Sequence, residues 1–177
     1  MKNVNMILGR FQPITLGHLK IVDELYNKNN LPIVFCLVSN TKFDDKRPFD
    51  DNIISEELDI IMKEDKRIAG YVYVKSADIV KCAEILHNNM FEPHLWGCGT
   101  DRYESYKKQA DKYKDIANLI KEFDVLEIQR NDEDVSATKV RESIMNDDIQ
   151  GYCQMMPKAT HNMFKVLKGA IQKIIKE

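Results

Sequence analysis

The sequence predicts an α/β fold: a doubly wound parallel sheet of five strands with a helical C-terminal segment. Two observations carry this. Short apolar runs alternate with stretches of helical periodicity, the pattern of successive strand-helix-strand units. Beyond the last such run the periodicity is helical to the end of the chain. A chain of 177 residues, 44% hydrophobic and 31% charged, is long enough to bury the core of one ordinary domain. We therefore read a single domain over residues 1–177, with an α/β core at 1–130 and a helical part at 135–177 expected to pack back on the sheet.

Taken in order, the strands are expected at Val4–Leu8, Ile33–Ser39, Tyr71–Val74, His94–Gly97 and Val125–Gln129. Between the first two, "GHLKIVDELYNK" repeats apolar residues at Leu19, Val22, Leu25 and Tyr26, a helical spacing. "IISEELDIIM" does the same at Ile53, Ile54, Leu58 and Ile61, with Asp50 and Asp51 starting that helix. "SADIVKCAEILHN" is a third helix with Ser76 as its expected N-cap. "DRYESYKKQADKYKDIANLIKEF" is a fourth, polar along most of its length and so read as a surface helix. The acidic cluster from Asn131 to Val135 reads as a solvated loop. "SATKVRESIMN", "DDIQGYCQMM" and, after Pro157, "ATHNMFKVLKGAIQKII" close the chain as helices.

Composition narrows the function. A formal net charge of -2 gives no field of cations for general capture of nucleic acid. Cys36, Cys82, Cys98 and Cys153 lie far apart without C-x-x-C spacing, which speaks for a reducing compartment rather than a zinc site or a disulfide framework. His87, His94 and His161 lack metal-ligand spacing and read as structural or solvent-facing, so no protein metal cage is expected. The apolar N-terminal run is too short for a signal sequence, and no eighteen apolar residues run together. The expectation is a soluble, cytoplasmic protein without a membrane partner.

Ligands of open parallel sheets bind beyond the carboxyl ends of the strands, so the strand-to-helix connections are the places to search. The first is "GRFQPITLGH", Gly9 to His18. Gly9 permits a turn or close approach and Pro13 stiffens the loop. With Leu16 or Gly17 opening the helix, Thr15 and His18 stand at its N-terminus, where free N–H groups and the positive dipole end favour an anion. Thr15 is then either a plain N-cap or, with His18, part of a phosphate site.

The ten residues resemble the (H/T)-x-G-H signature of the nucleotidyltransferase superfamily, in the "G-R-F-Q-P-x-(H/T)-x-G-H" form of nicotinamide mononucleotide adenylyltransferases. The resemblance implies a Rossmann-like fold. It also implies transfer of a nucleoside monophosphate from a triphosphate to a phosphorylated small-molecule acceptor, with pyrophosphate released and Mg²⁺ bound through the triphosphate. By resemblance His18 contacts the reacting phosphates, Thr15 takes the place of the first histidine as in phosphopantetheine adenylyltransferases, and Arg10, Phe11, Gln12 and Gly17 join Gly9 around the nucleotide. Self-association into a homo-oligomer is compatible with the family.

The second signature is "VSATKVRES", Val135 to Ser143. Ser136 can cap a helix whose first turns carry Thr138, Lys139 and Arg141, again amides, a hydroxyl and cations at a positive helix end. It resembles the superfamily's "I-S-S-T-x-x-R" motif for the outer phosphates: Ser136, Thr138 and Arg141 match, and Ala137 replaces the second serine. In the loop "SNTKFDDKRPF", the lysines Lys42 and Lys46 are either solvated or phosphate ligands. "DKRPF" resembles the family's "x-K-N-P-F/L" segment, which makes Lys46 the matching catalytic cation and Lys42 a second acceptor-phosphate candidate.

In "LWGCGTDRYESY", Gly97 and Gly99 suit close approach to a base or ribose, and Asp101 either accepts from a sugar hydroxyl or caps the next helix. The stretch resembles the family's "G-x-D" nucleotide contact, with Arg102 beside it. Trp96 is either a ring that stacks on the acceptor or a core residue. The form "GRFQP" favours ATP and nicotinamide mononucleotide, hence synthesis of NAD. The alternatives are a cytidylyltransferase, a phosphopantetheine adenylyltransferase, or a non-catalytic nucleotide-binding regulator.

Overall fold

The computed structural model describes residues 1–113, 123–129 and 136–176. The acidic cluster 131–135 and the second half of the long polar helix pattern lie outside the described residues. Five strands, β1 (Lys2–Gly9), β2 (Ile33–Val38), β3 (Ile68–Val74), β4 (Phe91–Gly99) and β5 (Asp124–Ile128), form one parallel sheet in the order β3-β2-β1-β4-β5. The helices are α1 (Leu16–Asn29), α2 (Asp51–Glu64), α3 (Ile79–Asn88), α4 (Thr100–Tyr113), α5 (Ala137–Met145), α6 (Ile149–Met155) and α7 (Phe164–Ile175), with a short 3-10 turn at Lys158–Met163. This is the α/β, Rossmann-like architecture that the alternating pattern requires.

Packing groups the chain into two compact units. The first comprises Met1–Gly9, Lys20–Val38 and Lys66–Glu133 and holds the whole sheet. Its strands run through apolar surroundings, as parallel strands covered on both faces must. On β1, Val4, Met6 and Leu8 point into a cluster with Val34, Cys36, Ile79, Cys82, Leu86 and Trp96. The intervening Asn5 turns to the other face, where its amide donates to the Leu25 carbonyl of α1 at 3.2 Å and to Asn29 Oδ1 at 2.7 Å. The α3 N-cap is Asp78, which accepts from Val80 and Lys81, rather than the expected Ser76. Its carboxylate reaches two amides of the first turn, which a serine two residues further out cannot do.

The sheet's topology also marks where a ligand is expected. Strand order reverses between β1 and β4, and their carboxyl ends, Gly9 and Gly99, mark the switch point at which such sheets bind ligands. The second unit, Arg10–Leu19, Ser39–Asp65 and Asp134–Glu177, holds the connections after β1 and β2 together with α2, α5, α6 and α7. Asp50 caps α2 through the Ile53 amide at 2.9 Å, and Ser136 caps α5 through the Lys139 amide at 3.2 Å, both as the sequence suggests.

Candidate active site

His18 is held from two sides. Thr15 precedes α1 and its carbonyl accepts from the amides of His18 (3.1 Å) and Leu19 (3.2 Å). In return the Thr15 amide donates to His18 Nδ1 at 3.0 Å, and the Thr15 hydroxyl lies 3.3 Å from the same nitrogen. This is the reciprocal bond of a capping box, made here by an imidazole instead of Glu or Gln. Because Nδ1 accepts, the proton of the neutral ring is assigned to Nε2. Phe11 packs edge-on against the ring, centroids 4.9 Å apart.

Phe11 sits at φ 54°, a left-handed conformation that is rare for a bulky residue, costs on the order of 1–3 kcal/mol and persists only where its surroundings over-determine it. The surroundings do so through Gln12, next to it. The Gln12 amide donates to the Phe49 carbonyl and accepts from the Phe49 amide, both at 2.9 Å and both buried. The Gln12 carbonyl accepts from Arg141 Nη1 at 2.7 Å. Arg141 Nη2 lies 3.4 Å from the Thr138 hydroxyl.

The loop after β2 is organised by two side chains that the sequence reading passed over. Asn40 Nδ2 donates to the carbonyls of Arg47 (2.9 Å) and Phe49 (2.8 Å), and its amide donates to Asp51 Oδ1 at 2.9 Å. Asp44 accepts from the amides of Lys46 and Arg47 and pairs with the Arg47 guanidinium at 3.0 Å. The hydrogen bond from Arg47 holds the Asp44 carboxyl below its ordinary pKa. The signal was present in "SNTKFDDK", because Asn and Asp in turns bond the backbone a few residues on.

Lys46, Thr138 and Arg141 line one open depression of about 570 Å³ together with Asp45 and Glu142. Burial lowers Arg141 from the usual guanidinium value while Asp45, Asp44 and Glu142 push it back up, so it stays a cation. Lys42 and Arg10 are exposed, and Gly17 stands in the first turn of α1, which carries no acidic side chain to oppose an anion.

Several expected ligand contacts turn out to be packing. Gln12 and Phe11 are buried and occupied, as just described. Thr15, at 1% exposure, orients His18 rather than offering its own surface. Trp96 is 0% exposed and stacks on Tyr106 with centroids 3.8 Å apart, so it is a core residue and not an acceptor platform. Gly97 lies inside β4, and a Cβ there would stand 2.7 Å from Leu25 Cδ1 and 2.8 Å from Ile21 Cγ2; close packing of α1 accounts for this glycine. Gly99 ends β4 and α4 begins at the next residue, leaving no loop, and Asp101 and Arg102 lie exposed in the first turn of that helix. Burial raises Cys98 to about 11, so it is no nucleophile.

The model of the cytidylyltransferase-like family matches residues 6–143, from β1 through most of α5. The chain belongs to this family. Within this nucleotidyltransferase superfamily, solved structures share the fold at low identity. The chain resembles a bifunctional NMN adenylyltransferase/ADP ribose pyrophosphatase from Francisella tularensis, complexed with AMP and an Mn ion, at 16% identity and a TM-score of 0.68. All of this chain is covered but only 53% of that one, so it spans about half the length of the Francisella protein. A Plasmodium falciparum nicotinic acid mononucleotide adenylyltransferase matches at 16% identity and TM-score 0.60, over 97% of this chain and 98% of that one. A putative nicotinate-nucleotide adenylyltransferase from Vibrio parahaemolyticus matches at 13% identity and 0.63, over 93% and 99%. No curated protein sequence matches significantly. Among the described residues no helix is long and apolar enough to cross a membrane.

Proposed function

We propose that this cytidylyltransferase-like protein transfers AMP from ATP to nicotinamide mononucleotide, giving NAD and pyrophosphate. The observation that carries the reading is an imidazole at the start of α1 whose Nδ1 accepts from the Thr15 amide, which assigns the ring proton to Nε2 and fixes the ring's orientation. Lys46, Thr138 and Arg141, gathered around one depression, supply the cations and hydroxyl that outer phosphates need. The adenylyltransferase activities named for the Francisella and Plasmodium proteins, and the "GRFQP" form of the first signature, support adenylyl rather than cytidylyl transfer.

The acceptor phosphate oxygen attacks the α-phosphorus in line; the new P–O bond forms as the bond to the leaving pyrophosphate breaks. Such a transfer asks for position and charge neutralisation more than for proton transfer. His18 donates from Nε2 to an oxygen on which charge builds, while Lys46 and Arg141 hold the phosphates that leave. Lys46, Arg141 and Thr138 suit phosphate oxygens rather than a bare metal ion. Mg²⁺ bound through the triphosphate would supply charge neutralisation there. Asp45 and Glu142 are the carboxylates on that wall able to face its water shell.

The test is pyrophosphate release with ATP or CTP crossed against nicotinamide mononucleotide, nicotinate mononucleotide, phosphopantetheine and glycerol phosphate. The expected result is release with ATP and nicotinamide mononucleotide. Release with CTP, or with phosphopantetheine alone, overturns the substrate assignment and keeps the transferase. Nucleotide binding without release from any pair would make the protein a regulator.

A further inference from the structure

One chain of hydrogen bonds joins the three sequence motifs within the second unit. It runs from the Arg141 guanidinium to the Gln12 carbonyl (2.7 Å) and from the Gln12 side chain to both backbone groups of Phe49 (2.9 Å each). From the Phe49 carbonyl it continues to Asn40 Nδ2 (2.8 Å), which also holds the Arg47 carbonyl (2.9 Å), one residue from Lys46. The Gln12 side chain is buried and bonded to both Phe49 backbone groups, which makes it a brace between the two loops. The pairing is not a repeating feature of secondary structure, since neither Gln12 nor Phe49 lies in a helix or strand. A side chain that closes a two-bond ring with a distant peptide copies one rung of a sheet and fixes the spacing of two loops.

We propose that Gln12 is a positioning residue: it sets the separation between Arg141 and Lys46 so that both cations engage the phosphates of one nucleoside triphosphate. The inference deepens the transferase reading above and rests on it for the identity of the ligand. The two cations stand on different segments, α5 and the loop after β2, yet face one depression. A phosphate clamp made from separate segments gains from each cation only if its partner's distance is set before the ligand arrives. Arg141 is placed through its own bond to the Gln12 carbonyl; Lys46, exposed and anchored only through its backbone, takes its place from the loop that Phe49 and Asn40 pin down.

A double-mutant cycle of Gln12→Ala with Lys46→Ala tests this, read by calorimetric affinity for ATP with magnesium and, separately, by pyrophosphate release. Each single variant is expected to weaken ATP binding about tenfold, and the double variant by little more than Lys46→Ala alone, because a displaced Lys46 has nothing left to lose. Gln12→Met keeps the side chain's bulk but makes neither bond to Phe49, so it is expected to lose ATP affinity as Gln12→Ala does; it carries the cycle if the alanine variant does not fold. Losses that multiply overturn the proposal, as does a Gln12 variant that melts at lower temperature with its ATP affinity intact. The affinity cycle decides the positioning role even where no acceptor is turned over, a result that would remove the transferase reading alone.

Discussion

The two units are held together by different physics. In the unit that carries the sheet, apolar side chains from alternate strand positions interleave with α3 and α4, and Asn5 is its one buried polar side chain among the described residues. In the other unit, Gln12, Thr15, Asn40, Glu57 and Thr160 are all buried. The difference follows from backbone accounting. Strands satisfy their own N–H and C=O groups through ladders, whereas irregular loops must borrow partners from side chains. The unit that carries both sequence signatures is therefore the one that depends on individual polar residues.

The sharpest way to break that contrast is through the sheet core. Trp96→Ala should cost about 3–5 kcal/mol, because a buried, stacked indole leaves a cavity that parallel strands cannot close. Denaturant unfolding measures the loss. The folded fraction should bind ATP as wild type does; a marked change in ATP affinity would show that the core residue acts on the ligand after all.

The reverse experiment is His18→Ala. Loss of a donor aimed at developing charge should cost a hundredfold or more in pyrophosphate release, about 3 kcal/mol, while unfolding shifts by no more than about 1 kcal/mol for the missing cap. A folded variant with near-normal turnover would dismantle the site.

The smallest effect concerns Glu57 on α2. Burial raises its carboxyl well above the usual range; the Ile14 amide favours ionisation but falls short of a hydrogen bond to either oxygen, and neighbouring Glu56 opposes it. A raised folded-state value means the unfolded chain releases the proton first. The stability associated with the protonated carboxyl is full below the unfolded value near pH 4 and is lost as pH climbs through the folded one. Thermal melts from roughly pH 5 to 8 should show Glu57→Gln gaining on wild type as pH rises. A difference that stays flat with pH would mean that Glu57 titrates alike in both states.

Most of the sheet was legible because apolar periodicity is a local property: all five strands lie where the runs place them, no end is off by more than about three residues, and the largest shifts are the earlier starts of β3 and β4. The caps at Asp50 and Ser136 were equally local. The site was legible as motifs but not as contacts. Phe11, Gln12, Trp96 and Gly97 carry residue types that suit a ligand, and nothing in sequence tells a glycine that admits α1 from one that admits a ribose. Asn40 was missed because its partners lie seven to eleven residues away across a loop without period.

From residue order alone came an α/β chain with two phosphate-type helix starts and a histidine beside one of them, because helix and strand periods and short motifs are written in neighbouring residues. Only the tertiary structure decided which of those side chains face a ligand and which are consumed in holding the loops. That choice depends on where distant backbone groups need partners, and Phe49, distant in sequence from Gln12, is what turns a ligand candidate into a brace.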